Sequence, residues 1–376
     1  MRVVFVSLLL IAVNVRAQSS AMADSLYATG NYTQAINTYA KLGNTASKLQ
    51  IARAYNVIGN YDKAITQYEA VVAKNTEMQI AQFELGKLYL KTKRYDDGRK
   101  LFTSLVSKNK TNPEYFYYQG EAFNQLEQFS SSLVAYKKAI NIDSTHLRSL
   151  FQLGKYFVVK QENIQALKYI EKGLEFYPDD VSLINLQALA YYNNNNYEMA
   201  RPLFERLLEL GEKKEHIYTK LGDCYTKEWE FEKAKKSYRT LLEMDPENDH
   251  AYFSLGGVYI KMKALDSAEM NYKKAIEVQD PILDMEYMAL AHLARERKEL
   301  KTALDYYQLA YDENPDNIFA YYSVCTVADQ YYKDPKVRLE YYENFRMQFK
   351  KKHPFFSETV NKRIRELKEE IHFADN

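Results

Sequence analysis

A small residue recurs along this chain at a nearly constant interval. From residue 64 to residue 268 every step is 34 residues; the first step is 29, and the last two are 35 and 34. The recurring residues are Ala35, Ala64, Gly98, Ser132, Ala166, Ala200, Ala234, Ala268, Ala303 and Val337. A fixed interval over this length indicates about ten repeated units, each of which buries its apolar face against its neighbours.

Each unit carries the same companion residues, and the stretch from 215 to 249 is the clearest example. It contains Tyr218-x2-Leu221-Gly222-x2-Tyr225, then Ala234-x3-Tyr238, then Pro246. The first group falls at successive turns of one helix and the second at turns of another. Small residues at the crossing let the two helices approach closely, and the proline ends the second helix.

This pattern resembles the tetratricopeptide repeat (TPR) family over nearly all of the chain after residue 17. The resemblance implies an all-α fold, a right-handed superhelical solenoid of about ten helix–turn–helix repeats over residues 18–352. Residues 353–376 contain a lone amphipathic helix, from about Pro354 to His372. We expect it to cap the last repeat, because a solenoid must cover its final apolar face; a helix that binds a partner or dimerises is the alternative.

Residues 1–17 are typical of a secretory signal peptide. Arg2 precedes a short apolar stretch, and Val15 and Ala17 place small residues before a cleavage point at Gln18. A retained anchor is the alternative. We therefore expect an exported protein of the periplasm or cell envelope, and no other stretch is apolar enough to cross a bilayer.

The near-neutral charge balance does not favour binding of nucleic acid. The chain has 51 basic and 50 acidic residues, a net charge of +1, and loss of the two arginines in residues 1–17 would make it −1. The two cysteines, Cys224 and Cys325, lie three units apart, about 30 Å at the spacing of packed helices, so we expect two free, buried thiols.

No motif for catalysis, a cofactor or a metal is present. His216 and His250 occupy the same place in consecutive units, about 10 Å apart, which is too far for a shared zinc ion, so we expect exposed histidines. Glu121 and Asp223 lie about 30 Å apart by the same spacing, whereas paired-carboxylate hydrolysis needs about 5–10 Å. A protein without enzymatic activity is favoured, and a hydrolase that depends on Glu121 is the third choice.

In TPR proteins the first helix of each hairpin lines an inner surface that commonly takes an extended peptide or a partner helix. The resemblance implies partner-binding candidates on that surface. They are Phe83, Lys87, Tyr117, Glu121, Asn124, Phe151, Lys155, Asn185, Tyr192, Asp223 and Phe253, and the same columns include Arg53 and Asn56.

Three of these candidates, Phe83, Tyr117 and Phe151, form consecutive aromatic rungs. They are either binding hot spots or rings that pack against the next hairpin. Lys87, Glu121 and Lys155 alternate in charge, as a weak ion ladder or as a polar strip that orients a peptide. The paired lysine and asparagine with which some TPR domains grip a chaperone's carboxylate tail are absent.

The leading hypothesis is a non-enzymatic scaffold or adaptor of the cell envelope that binds a protein or peptide on its concave surface. The alternative is a structural envelope component that self-associates, or tethers its neighbours, through its convex face and terminal helix.

Overall fold

The computed structural model describes residues 19–278, 282–349 and 354–374, and every regular element within them is an α-helix. The proposed signal peptide at residues 1–17 lies outside the described residues. The chain divides into two compact units, unit 1 ending at Ala190 and unit 2 beginning at Tyr191. The boundary falls within a helix, so no change of composition marks it in the sequence.

Unit 1 is a series of antiparallel helix pairs in chain order. Its helices are α1 (residues 19–28), α2 (Tyr32–Leu42), α3 (Thr45–Val57), α4 (Tyr61–Lys74), α5 (Gln79–Lys91), α6 (Tyr95–Lys108), α7 (Pro113–Gln125), α8 (Phe129–Ile142), α9 (Leu147–Val159), α10 (Asn163–Phe176) and α11 (Val181–Asn193), the last of which contains the boundary. Odd-numbered helices are the first of each hairpin, and even-numbered helices carry the recurring small residue.

Unit 2 continues the same alternation and ends on one additional helix. Its helices are α12 (Tyr197–Glu209), α13 (Glu215–Lys227), α14 (Phe231–Met244), α15 (Asp249–Lys261), α16 (Leu265–Val278), α17 (Asp284–Glu296), α18 (Leu300–Glu313), α19 (Ile318–Tyr331), α20 (Pro335–Phe349) and α21 (Pro354–Ala374). The predicted all-α array of helix–turn–helix repeats is confirmed.

In nine of the ten hairpins among the described residues, the turn contains one residue in the left-handed region. Gly30 and Gly59 take it in the first two hairpins, with φ of 80° and 81°, because glycine has no Cβ to clash there. In the run of four asparagines Asn195 takes it, with φ of 57°, and the side chain of Asn196 caps α12 by accepting a bond from the Met199 amide. The run is a turn, as its composition predicted.

The small residues permit close approach of neighbouring helices, as the repeat pattern predicted. A Cβ added at Gly222 would lie 2.6 Å from Cε1 of Tyr238, and one added at Gly120 would lie 2.5 Å from Cε1 of Tyr136. Both tyrosine rings are fully buried. The second-helix aromatic ring therefore lies directly on the backbone of the first helix, and its hydroxyl donates to a first-helix carboxylate, Glu121 or Asp223.

The last helix, α21, packs on α20 and the end of α19. Val360, Ile364 and Leu367 are buried among the aromatic residues of α20. Asp329 on α19 fixes the helix by accepting two hydrogen bonds from Arg363, Nε to Oδ2 at 2.7 Å and Nη2 to Oδ1 at 2.9 Å. The apolar face of α21 thus covers the end of the unit.

Two further properties of the described residues concern the sequence predictions. Cys224 and Cys325 are free and buried, as expected. No helix among the described residues combines the length and the apolar character needed to pass through a bilayer.

Candidate functional site

The candidate binding residues divide between the two units, eight in unit 1 and three in unit 2. In unit 1, Lys87 and Lys155 are exposed, and Phe83, Glu121, Asn124, Phe151 and Asn185 are half-buried. In unit 2, Tyr192, Asp223 and Phe253 are half-buried. The candidates therefore form two separate sets, one in each unit.

The aromatic rungs pack within the hairpins more than they face solvent. Tyr117 is 8% exposed, and its ring lies 5.0 Å from Tyr118 and 6.0 Å from Tyr136, centroid to centroid. Burial raises the pKa of its hydroxyl to about 12. Phe83 packs against Phe102, Tyr115 and Tyr118 at 5.3–6.1 Å. Of the two interpretations that the sequence left open, packing describes these two rings.

The residues that follow these rings face the accessible surface of unit 1. Glu84 follows Phe83, Tyr118 follows Tyr117, and each helical residue is rotated by about 100° from the one before. Both line a concavity of about 520 Å³ against the first helices of four consecutive hairpins. We call it the unit 1 concavity; its lining residues are Tyr27, Arg53, Asn56, Val57, Tyr68, Glu84, Lys87, Leu88, Lys91 and Tyr118.

One wall of the unit 1 concavity is a bonded network between neighbouring hairpins. Arg53 on α3 pairs with Glu84 on α5 through two nitrogens, Nε to Oε2 at 2.9 Å and Nη2 to Oε1 at 2.6 Å. The hydroxyl of Tyr68 donates to Oε2 of Glu84 at 3.0 Å. The hydrogen bonds that Arg53 donates to Glu84 raise the pKa of Arg53, while burial and then the charge of Glu84 raise the pKa of Tyr68. The Glu84 carboxylate is thus fully engaged.

The same helix as Glu84, α5, also carries two lysines that rest on aromatic rings. Nζ of Lys87 lies 5.5 Å from the ring centroids of both Phe83 and Tyr118, and Nζ of Lys91 lies 4.5 Å from that of Tyr61. Neither amine is paired with a carboxylate among the residues that the structure describes. Cation–π contacts orient an ammonium group but leave its charge available.

The concavity therefore carries an excess of positive charge and one unsatisfied buried acceptor. Three cationic side chains face one carboxylate, so two positive charges are unbalanced. Oδ1 of Asn56, another lining residue, is buried and accepts no hydrogen bond from the described part of the chain. Buried polar atoms normally have a partner, and this oxygen, which has almost no accessible surface, is an unsatisfied acceptor of the fold.

The proposed ion ladder of Lys87, Glu121 and Lys155 is replaced by a different contact. Glu121 accepts a hydrogen bond from the Tyr136 hydroxyl at 2.5 Å, and Lys155 acts on it only at longer range. Burial raises the pKa of Glu121 above its ordinary value. The column is thus built from separate carboxylate–tyrosine and lysine–aromatic contacts.

Unit 2 holds a comparable arrangement at Asp223. Its Oδ2 accepts from the Tyr192 hydroxyl and its Oδ1 from the Tyr238 hydroxyl, both at 2.7 Å. Nζ of Lys220 lies 4.2 Å from the centroid of the Tyr192 ring. Phe253 packs on Tyr272 at 5.5 Å. Of the three candidates in unit 2, Tyr192 and Asp223 are therefore in contact, whereas Phe253 packs between helices.

Sequence reasoning missed Glu84, Lys91, Tyr118 and Tyr27. The family pattern assigned the inward column one residue too early on α5 and α7. A usable signal was present, because Arg53 and Glu84 are oppositely charged and lie 31 residues apart, close to one repeat. Among the described residues, no group of three or more His, Cys, Asp or Glu side chains could hold a metal ion.

Family models described as tetratricopeptide repeat match residues 49–113, 182–218, 215–248 and 249–280. Together they confirm the family that the repeat pattern indicated.

Curated relatives share the repeats over short segments. The chain is similar to anaphase-promoting complex subunit 3 of Schizosaccharomyces pombe, with 27% identity over 101 residues, 27% of this chain and 15% of the relative. It is also similar to Hsp70-Hsp90 organizing protein 2 of Arabidopsis thaliana, with 22% identity over 176 residues, 41% of this chain and 31% of the relative. The chain thus spans less than a third of the length of these relatives.

Among solved structures, the C-terminal part of a TPR repeat-containing protein from Cytophaga hutchinsonii is similar in fold. It is 20% identical, with 73% of this chain and 99% of that chain covered and a TM-score of 0.47.

Proposed function

Because this chain is a tetratricopeptide repeat protein, we propose that it is a non-enzymatic scaffold that binds a partner protein through an acidic segment held in the unit 1 concavity. The observation that carries the proposal is the pair of lysines, Lys87 and Lys91, whose amines lie on aromatic rings beside a concavity and pair with no described carboxylate. A partner's carboxylate would supply the missing counter-charge.

The fixed network beside the lysines supports the same choice of ligand. The bond between Arg53 and Glu84 joins two hairpins, and its side chains are only 31% and 24% exposed, so this wall is set before a partner arrives. A preorganised wall reduces the ordering cost of binding.

Charge reversal at the two lysines tests this proposal. We expect Lys87→Glu with Lys91→Glu to reduce recovery of a partner at least tenfold, because like charges would then face the acidic segment. The measurement is quantitative affinity purification of the tagged protein from its native cells. Weakening of wild-type capture with rising salt is expected as well, since exposed charges are screened.

A matched control keeps the test specific. Lys137 on α8 and Lys168 on α10 are exposed lysines on second helices of the same unit. The variant Lys137→Glu with Lys168→Glu changes the net charge equally and should leave capture unchanged. Equal loss in both variants would mean that overall charge, and not the concavity, governs binding, and the proposed site would be withdrawn.

We also propose that the protein is exported to the periplasm or cell envelope, on the support of residues 1–17 alone. The intact mass of the protein purified from its native cells should lack these residues, with Gln18 as the new N-terminus. A mass that includes residues 1–17 would contradict export with cleavage.

A further inference from the structure

A second depression lies beside the unit 1 concavity, at the turn between α3 and α4. Its volume is about 440 Å³, and its lining residues are Ile58, Gly59, Asn60, Tyr61, Asp62 and Thr92. We call it the edge crevice. It is formed by the turns of two consecutive hairpins, so it opens at the edge of the helix pairs and not on the face that carries the concavity.

The concavity and the edge crevice share a rim of two residue pairs. Val57 lines the concavity, and the next residue, Ile58, lines the crevice. In the same way, Lys91 lines the concavity and the next residue, Thr92, lines the crevice. Nζ of Lys91 lies 4.5 Å from the ring of Tyr61, which belongs to the crevice. An extended segment could therefore pass from one depression to the other without leaving the protein surface.

The rim is apolar where the fold does not require it. Val57 is 52% exposed and Ile58 is 46% exposed. One repeat later the same positions hold Lys91 and Thr92, and the next repeat has Gln125 and Leu126. Those hairpins form the same left-handed turn, at Lys93 and Glu127. Polar residues thus suffice for folding, so the apolar pair, which we call the Val57–Ile58 shelf, is free to serve binding.

In the other direction, towards α9, the surface is already filled. The Arg148 guanidinium lies 4.5 Å from the ring of Tyr117 and 5.3 Å from that of Tyr118. It also donates to the Tyr118 hydroxyl at 3.0 Å and pairs with Glu114. A segment that continued along the row of first helices would have to displace these contacts.

We propose that the acidic segment crosses the turn edge between α3 and α5, with its carboxylates in the unit 1 concavity and an apolar side chain on the Val57–Ile58 shelf. This inference rests on the proposed function and adds the path and the second chemical feature of the partner. Because the two depressions share a rim, we expect only a short stretch of an extended segment to separate the acidic and the apolar groups.

The test uses labelled synthetic peptides and fluorescence anisotropy with the full chain. One peptide has the sequence Glu-Glu-Gly-Gly-Leu-Leu and its counterpart ends in Ser-Ser; both are also made in reverse order, because either chain direction is compatible with the rim. The Leu-Leu peptide is expected to bind about tenfold more tightly than the Ser-Ser peptide in one of the two orders.

Two variants locate the source of that preference. Val57→Gln with Ile58→Thr introduces residue types that neighbouring hairpins carry at these positions, and should make the two peptides bind equally. Val159→Gln with Ile164→Thr makes the same chemical changes at residues that are 72% and 86% exposed in the same unit, and should preserve the preference. A preference that survives the first variant would overturn the proposed path.

The remaining outcomes separate this inference from the proposed function. If both peptides bind the wild type equally, and Lys87→Glu with Lys91→Glu abolishes that binding, the concavity holds acidic segments but the shelf plays no part. If neither peptide binds in either order, both the path and the acid-binding concavity are contradicted.

Discussion

Glu84 in unit 1 and Asp223 in unit 2 are similar carboxylates that are satisfied in different ways. Each accepts a hydrogen bond from the tyrosine of a second helix, Tyr68 or Tyr238. The further partner of Glu84 is an arginine, whereas that of Asp223 is a second tyrosine, Tyr192. Arginine cancels the carboxylate's charge, while a tyrosine hydroxyl stabilises that charge without cancelling it.

This difference shows how one repeat pattern can present first-helix surfaces of different charge. Around Glu84 the charge is neutralised, and Lys87 and Lys91 remain as a positive site. At Asp223 the negative charge persists next to Lys220, whose amine rests on the ring of Tyr192. The partner residue, arginine or tyrosine, therefore changes the local charge of a first-helix surface by one unit.

Removing the two carboxylates should give the largest effects and the clearest contrast. Asp223→Ala leaves two tyrosine hydroxyls without their acceptor, one of them fully buried, and should destabilise its hairpin by about 3 kcal/mol. Glu84→Ala also leaves one tyrosine hydroxyl, that of Tyr68, without its acceptor, but it should cost only about 1–2 kcal/mol, because Arg53 is partly exposed and water can replace its partner. Hydrogen exchange of the amides of α13–α14 and of α5–α6 measures each loss locally.

Asp223→Asn is the control for that comparison. Its amide oxygen can still accept a tyrosine hydroxyl, so it should cost less than Asp223→Ala. Equal losses of protection at both sites would show that the arginine and tyrosine networks are energetically equivalent. A larger loss for Glu84→Ala would contradict the expected order of the two effects.

A second arginine–carboxylate pair, Arg363 with Asp329, should contribute an intermediate amount. It joins α21 to α19 through two hydrogen bonds, and Arg363→Ala should destabilise the docking of α21 by about 1–2 kcal/mol. Faster exchange confined to the amides of α21 and α20 is the expected measurement. Arg365→Ala, a change at an exposed arginine of the same helix, should leave exchange unchanged.

The smallest effect concerns Glu121, and its sign depends on pH. Burial raises the pKa of this carboxyl in the folded state, so its contribution is most favourable below the unfolded pKa and is lost as pH rises through the folded pKa. Glu121→Gln should therefore stabilise unit 1 slightly at pH 7, by less than about 1 kcal/mol, and by less at pH 4. Thermal melting at the two pH values checks this; a variant that is destabilised more at pH 7 than at pH 4 would contradict it.

The repeat interval predicted most of the fold because each unit uses the same local physics. Gly222 under the ring of Tyr238, and Asn195 in its left-handed turn, follow from residue type and spacing alone. The division at Ala190 could not be predicted, since α11 reads like any other first helix.

The candidate site was predicted less well, because an error of one residue on a helix rotates the side chain by about 100°. Phe83 and Tyr117 were chosen for the inward column, whereas Glu84 and Tyr118 line the concavity. Lys87 was identified correctly as a lining residue. The hydroxyl of Tyr68 was not connected with Glu84, because sequence reasoning treated the ring only as a filler between helices.

Site-specific photocrosslinking in intact cells tests the central claim most directly. A photoreactive residue is placed at position 91, in the wall of the unit 1 concavity, and in a second strain at position 137 on the exposed side of α8. The account predicts crosslinks from position 91 to an acidic segment of one partner protein, absent from position 137. Crosslinks only from position 137, or only to other copies of this chain, would contradict it and favour a self-associating structural role.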